Sequence, residues 1–194
     1  GFGGGIYLEN HTGAMIKNCT AQVSQFGVAA INSSDILIKN CNFLPQDGQN
    51  PNTQTAIYSY GGENLRMFSN SVSLAQTGLS LSGQTTSNSG KPTAAAAGLF
   101  LSGVESAVTI ENTTTALLSN LHIPLKAQAG SCLTTEKSNS GTVVVANTVF
   151  SGEEGEKTYW AMNAGKAEIQ TSVFRSPVSA AFTVSGGNLS VGAN

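Results

Sequence analysis

Residues 6–19, IYLENHTGAMIKNC, lie over residues 28–41, VAAINSSDILIKNC, as two copies of one unit. Each copy reads as a short alternating strand, a turn at Asn, a second short strand and a closing hydrophobic-x-Asn-Cys/Ser/Thr step. That closing step returns at 68–71, 110–113 and 145–148, and in degraded form at 169–172. Self-similarity at such a period denotes stacked supersecondary units, each touching its neighbours, rather than a globule around one closed core.

Registering the units places first-strand starts at Ile6, Val28, Ile57, Leu79 and Leu99, then near Ile123, Leu133, Tyr159 and Phe182. The first four spacings are 22, 29, 22 and 20 residues, too short for a strand-helix-strand crossover repeated throughout. Helix is not expected. Alternation sends Ile6 and Leu8 inward and Tyr7 and Glu9 outward. Asn or Gly recurs at the strand end, at Asn10, Asn32, Gly61, Gly83, Gly103, Asn163 and Gly186, and these residue types tolerate the left-handed backbone of a sharp corner. A strand, a corner, a second strand and a return, with successive coils hydrogen-bonding in parallel, make a β-solenoid. The expectation is an all-β chain of about eight coils forming a single domain over residues 1–194.

Composition excludes several classes. Hydrophobic residues are 40% of the chain and the formal charge is −2, which is not the low-hydrophobicity, high-charge signature of disorder. Nine Lys and Arg against 11 Asp and Glu supply no basic face of the kind that displaces counterions from nucleic acid. No apolar run approaches the roughly 20 residues that span a bilayer. Gly1 opens directly onto repeat sequence with no initiator Met or leader pattern, so the chain is expected to be a fragment of a longer β-helix or a processed product. Three departures from the basic coil, 44–55, 84–98 with its alanine run, and 151–158, are expected to be solvated surface loops.

Residues 6–21 and 28–43 resemble the repeats of right-handed parallel β-helix proteins of the pectin-lyase-like superfamily, and weaker copies cover most of the chain. Asn18, Asn40, Asn70, Asn112 and Asn147 look like that family's internal asparagine ladder. Stacked amides at a rung spacing of about 4.8 Å can hydrogen-bond to one another and to corner backbone groups. The resemblance implies a right-handed parallel β-helix. For function it points to a group that includes polysaccharide lyases and hydrolases, phage tailspikes, epimerases and surface adhesins, among which fold does not choose. The Asp pairs and Gly-His-Gly stretch by which polygalacturonases resemble one another are not seen, nor is an obvious calcium-binding Asp cluster with a catalytic Arg like those of pectate lyases.

Cys19 and Cys41 register in one column, continued by Ser71, Thr113, Thr148 and Ser172, which reads as a place for small buried side chains. Adjacent rungs also fall within disulfide reach. Cys132 stands apart, His11 and His122 are isolated, and no Cys-x-x-Cys or His-rich spacing suggests zinc. No metal and no cofactor is expected. Carbohydrate chemistry would need two carboxylates in one cleft, and Asp35, Glu63 and Glu105 each fall two or three residues past a corner. Adjacent rungs separate a pair by roughly 5 Å, as in retaining glycosidases, and two rungs by roughly 10 Å, nearer the inverting geometry. Wet corners also attract acids without any chemistry.

Tyr7, Tyr58, Phe100 and Trp160 register at the outward second position of the first strand, and Tyr60 follows on the same face. These are five of the chain's 13 aromatics (8 Phe, 4 Tyr, 1 Trp). Flat rings spaced along a rigid sheet stack on sugar faces while their polar tips bond hydroxyls; an exposed apolar strip also serves as a contact for a loop or another protomer. Two function classes stay open. One is a secreted, cell-surface or virion β-helix that binds polysaccharide, with or without cleaving it as a glycoside hydrolase or lyase. The other is a non-catalytic structural or adhesive solenoid, for which a homotrimer is one expected assembly.

Overall fold

The computed structural model describes residues 4–45, 53–83, 93–112, 115–124, 131–135, 141–151, 155–162, 165–175 and 178–192. The described residues form strands and corners, with no helix among them. Three parallel sheets run the length of the chain, two of eight strands and one of seven, and in each sheet every third strand of the sequence pairs with the next. The first sheet stacks Ile6–Glu9, Phe26–Ile31, Thr53–Tyr60, Ala75–Ser82, Ser106–Glu111, Ser131–Thr135, Gly155–Met162 and Val178–Val184. The second begins with Met15–Lys17 and Leu37–Lys39, and the third with Thr20–Val23 and Asn42–Pro45. This is a parallel β-solenoid of eight coils, roughly 35–40 Å long at about 4.8 Å per rung.

Like residues stack on like residues in the core. Ile6, Val28, Ile57, Leu79, Val108 and Leu133 form one inward column of the first sheet. Ile16, Ile38, Met67, Ala96, Leu118, Val145 and Ile169 do the same in the second. In the third, Ala21, Phe43, Val72, Leu101, Ile123, Phe150 and Phe174 are in register. Most of these side chains are wholly buried. Where a large third-sheet residue meets the first sheet, the facing position must be small. A Cβ at Gly27 would collide with the Phe43 ring, and one at Gly78 would lie 2.7 Å from a Leu101 methyl.

The corners explain the repeat. Asn10, Asn32, Gly61, Gly83 and Asn112 end successive first-sheet strands with φ between 46° and 66°. Asn18, Asn40, Ser69, Gly98, Asn120, Asn147 and Thr171 do so after the second sheet, with φ between 46° and 67°. Asn is the side chain that best tolerates this region, and Gly lacks the Cβ that opposes it. The chain bends without dropping a hydrogen bond: the N–H groups of Asn18, Asn40, Ser69, Gly98, Asn120 and Asn147 each donate to a carbonyl of the next rung at 2.9–3.1 Å.

The residue after the second corner has its own task. Cys19, Cys41, Thr148 and Ser172 each donate from sulfur or oxygen to the carbonyl two residues back, at 3.0–3.3 Å. The Asn-Cys and Asn-Thr steps are therefore a left-handed turn followed by a side chain that caps a corner carbonyl. Cys19 and Cys41 are free thiols. Burial raises the pKa of the Cys41 thiol, partly offset by backbone hydrogen bonds at Cys19 and Lys39.

Register corrects four expectations. Leu99 and Phe100 do not start a fifth first-sheet strand, because Phe100–Ser102 pairs with Ser71–Ser73 in the third sheet. Ile123 is in the third sheet too, and the fifth first-sheet strand is Ser106–Glu111. Gly103, with φ 64°, ends a third-sheet strand. The coil has three strands, and the third shows the same alternation and closing glycine as the first, so a pattern of strand and corner confuses them. The asparagine ladder is likewise short. Asn40 Nδ2 donates to Asn18 Oδ1 at 3.3 Å on the exposed surface, Ser69 continues that column, and Asn112 belongs to the first corner. Asn70 sits one position further along, buried, accepting from the Cys41 N–H at 2.9 Å and donating to the Ile38 carbonyl at 3.0 Å. Two further expectations are corrected: the alanine run of the expected loop 84–98 is a buried second-sheet strand, Ala94–Ala97, and 53–55 and 155–158 belong to first-sheet strands rather than loops, while Gly187, with φ 84°, and not Gly186 is left-handed in the last coil. The expected corner at Asn163 and residues 46–52, 84–92 and 152–154 lie outside the described residues.

Asn70→Ala should therefore lower stability by about 1–3 kcal/mol, since it orphans a buried N–H and a buried carbonyl. Asn40→Gly keeps the left-handed corner and loses one exposed contact, which should cost no more than about 0.5 kcal/mol. Thermal melts of the two variants check this, and equal melting temperatures would contradict the assignment of Asn70 as the internal asparagine.

Candidate functional site

The outer face of the first sheet near its first coils gathers rings and carboxylates. One outward column runs Tyr7, Ala29, Tyr58, Ser80 and Thr109. The next runs Glu9, Ile31, Tyr60, Ser82 and Glu111. Ala29 between Tyr7 and Tyr58 leaves a shallow gap in the strip, and Phe26 fills one side of it. Its ring centroid lies 5.8 Å from that of Tyr58, tilted by 35°. A groove of about 440 Å³ opens there, lined by Gly4, Gly5, Ile6, Tyr7, Phe26 and Ala29. Tyr7 is 64% exposed and Tyr60 46%, whereas Tyr58 is half-buried. Tyr60 lies against the Gly83 corner, where a Cβ would come within 3.4 Å of the ring.

Two acids bracket this face. Glu111 accepts from Ser82 Oγ at 3.2 Å. The phenol of Tyr58 has its pKa raised, first by desolvation and then by the negative charge of Glu111 and by Tyr60. Tyr7 is raised too, by local desolvation and by the charge of Glu9, to which it hydrogen-bonds. Both phenols are therefore neutral donors at physiological pH, presented beside carboxylate acceptors. Rings for stacking next to donors and acceptors for hydroxyls form an arrangement suited to a sugar chain.

Of the five aromatics expected on this strip, Tyr7, Tyr58 and Tyr60 stand there. Phe100 does not: it is on the outer face of the third sheet, 44% exposed, stacked on His122 with centroids 4.9 Å apart. Trp160 pairs with Leu133 and Phe182, which is the register column of Ile6 and Val28 rather than that of Tyr7. The first correction follows from the three-strand coil, which puts Phe100 in the third sheet; the second is a one-residue shift within Gly155–Met162, since Leu133 and Phe182 do start in the Ile6 column and Trp160, not Tyr159, joins them. Phe26, Glu9 and Glu111 were missed. Phe26 precedes the aligned part of its repeat, and the two glutamates come together with tyrosines only through rung stacking.

The acidic row divides. Asp35 and Glu63 are on adjacent rungs, with the Asp35 N–H donating to the Glu63 carbonyl at 3.1 Å. Asp35 holds the left-handed corner with φ 55°, and its carboxylate accepts from Asn64 Nδ2. Asn64 Oδ1 in turn accepts from Arg66 Nε at 2.7 Å. This chain of contacts fastens a corner. Glu105 lies at a different corner, between the third sheet and the first, its N–H donating to the Ala75 carbonyl at 3.1 Å. The three acids do not converge. Among the described residues no group of three or more His, Cys, Asp or Glu could hold a metal ion.

With the three parallel sheets and eight coils on the page, the comparison with known families is decisive for fold. The family profile described as "Right handed beta helix region" matches residues 2–188. The chain belongs to the right-handed β-helix family. No curated protein and no solved structure matches it. The three-sheet coil puts the tyrosines on the first sheet and the Phe100–His122 pair on the third, with Asp35 and Glu63 at one corner and Glu105 at another. No described helix is long and apolar enough to cross a membrane.

A raised phenol makes a pH prediction. A group that binds its proton more tightly when folded lends stability that is fully present below its unfolded pKa, near 10.0 for tyrosine, and lost as pH rises through the folded pKa. The melting temperature of the β-helix should fall as pH rises from about 9.5 to about 11.5, and Tyr58→Phe should fall less over that range. An identical fall in both proteins would show that Tyr58 does not contribute.

Proposed function

We propose that this β-helix is a secreted, cell-surface or virion module that binds polysaccharide along the tyrosine-bearing outer face of its first sheet. The observation that carries the reading is the pair of outward columns that aligns Tyr7, Tyr58 and Tyr60 with Glu9 and Glu111, together with the groove that Tyr7, Phe26 and Ala29 line at the first coils. Tyr7 and Tyr58 are two rungs apart, roughly 10 Å, so two rings address separated sugars of one extended chain. A rigid sheet holds them at that spacing before the ligand arrives, which lowers the ordering cost of binding.

The dispersion of Asp35, Glu63 and Glu105 supports binding rather than cleavage by these acids. A glycosidase needs its two carboxyl groups on either side of one bond, and here Asp35 is engaged by Asn64 while Glu105 stands at another corner. A second reading draws on the third sheet. Phe100 and Val173 are exposed on one outward column, at 44% and 47%, a strip that suits contact with another protomer, a homotrimer included, of a structural or adhesive solenoid.

In a glycan-array screen, Tyr58→Ala and Tyr7→Ala should each weaken the best wild-type interaction by about 1 kcal/mol or more, with melting temperatures retained for the exposed Tyr7. Asp35→Asn and Glu63→Gln should leave reducing-end release unchanged from wild type. Glycan binding that ignores both tyrosine changes would overturn the tyrosine face. Release that disappears in Asp35→Asn would restore a catalytic role to the corner. Binding that fails altogether, with sedimentation showing a Phe100-dependent oligomer, would favour the second reading.

A further inference from the structure

The described basic side chains stand off the first sheet, while acids occur on the first sheet and, as Glu168, on the second. The outward columns of the first sheet carry Glu9 and Glu111, and no Lys or Arg among the residues whose side chains are described. Lys17 and Lys39, in register on adjacent rungs, stand on the second sheet. Arg66 and Lys166 are on that sheet also, and Arg175 is on the third. The bases therefore point away from the tyrosine groove. Glu9 is two positions from Tyr7 on one strand, and Glu111 is two rungs beyond Tyr60 in the same column.

Resting on the glycan-binding reading above, we infer that the tyrosine face selects sugar chains that are neutral or carry amino groups, and rejects uronate or sulfated chains. A uronate polymer brings a carboxylate with every sugar, so a chain that spans Tyr7 and Tyr58 sets negative charges beside Glu9, and one that runs two rungs further sets them beside Glu111 as well. Like charges brought together on one face repel, and no base among the described side chains of this face offsets them. Neutral hydroxyls donate to the same carboxylates, and the ammonium of a glucosamine unit gains a charge-assisted hydrogen bond. Acidic side chains alone would not define a ligand. The groove and the aligned rings give the chain its path, and the charge then decides which chains can follow it.

The test is calorimetric titration with three probes, at mildly acidic pH where the amine is charged: glucosamine oligomers, N-acetylglucosamine oligomers and galacturonate oligomers. The glucosamine oligomers should bind at least about tenfold more tightly than the galacturonate oligomers at low salt, with the gap narrowing at high salt. Glu9→Gln combined with Glu111→Gln should close the gap. Lys17→Gln combined with Lys39→Gln, on the second sheet, should leave it as in wild type. Galacturonate binding more tightly than glucosamine, and weakened by Tyr58→Ala, would overturn the charge selection while leaving the glycan-binding face in place. A gap that persists in the double glutamine variant would also overturn it. No binding by any of the three probes at either salt would remove both this inference and the reading it rests on.

Discussion

Everything in this molecule depends on a backbone hydrogen bond that continues through a bend. A parallel solenoid must turn its chain sharply several times per coil, yet each corner N–H has to find a carbonyl on the next rung or be left unpaired near the core. Left-handed residues solve both problems together. At Asn18, Asn40, Asn120 and Asn147 the backbone turns with φ near 50° while the N–H still donates to the following coil. The next residue then closes the remaining gap, as Thr148 and Ser172 do by donating to the carbonyls of Ala146 and Gln170. Because this arrangement repeats, one coil dictates where the next must lie.

Fixed corners make the core a set of columns, and columns impose local compromises. Phe43 can project from the third sheet because Gly27 faces it, and Leu101 because Gly78 does. Near the other end the third sheet supplies Phe150 and Phe174, stacked at 5.0 Å, with Phe182 of the first sheet edge-on at 5.3 Å. Inward positions are thus committed to packing, while outward positions carry no such demand. That freedom lets one face collect tyrosines and glutamates, another collect lysines, and a third expose Phe100 over His122.

How much of this was readable varies residue by residue. The alternation in residues 6–9 and 28–31 and the Asn at each strand end are local signals, and they led correctly to parallel stacking and to corners at Asn10, Asn32, Gly61 and Gly83. The third strand of each coil was hidden because Phe100-Leu101-Ser102-Gly103 has the pattern of a first strand and its corner. That single ambiguity displaced Phe100, Glu105 and Gly103 from their true places, and a separate one-residue shift at Tyr159 displaced Trp160. Asn18, Asn40 and Asn70 read as one internal ladder because each ends the same hydrophobic-x-Asn step, but a one-residue shift of the corner to Ser69 separates them: Asn70 bonds to buried backbone groups, while Asn18 and Asn40 meet at the exposed corner.

The sequence alone determined that this chain is an all-β parallel solenoid of about eight coils, since alternation, left-handed corner residues and a repeat of this length are properties of the chain over short distances; its right hand followed from the resemblance of residues 6–21 and 28–43 to β-helix repeats. Only the tertiary structure decided which side chains share a face. Glu9 and Glu111 are 102 positions apart in the chain but occupy one column, because each intervening coil has its own length and the offset between rungs is set by hydrogen bonds between strands. Local pattern fixes the direction in which a residue points; the accumulated register of the stack fixes what it points beside.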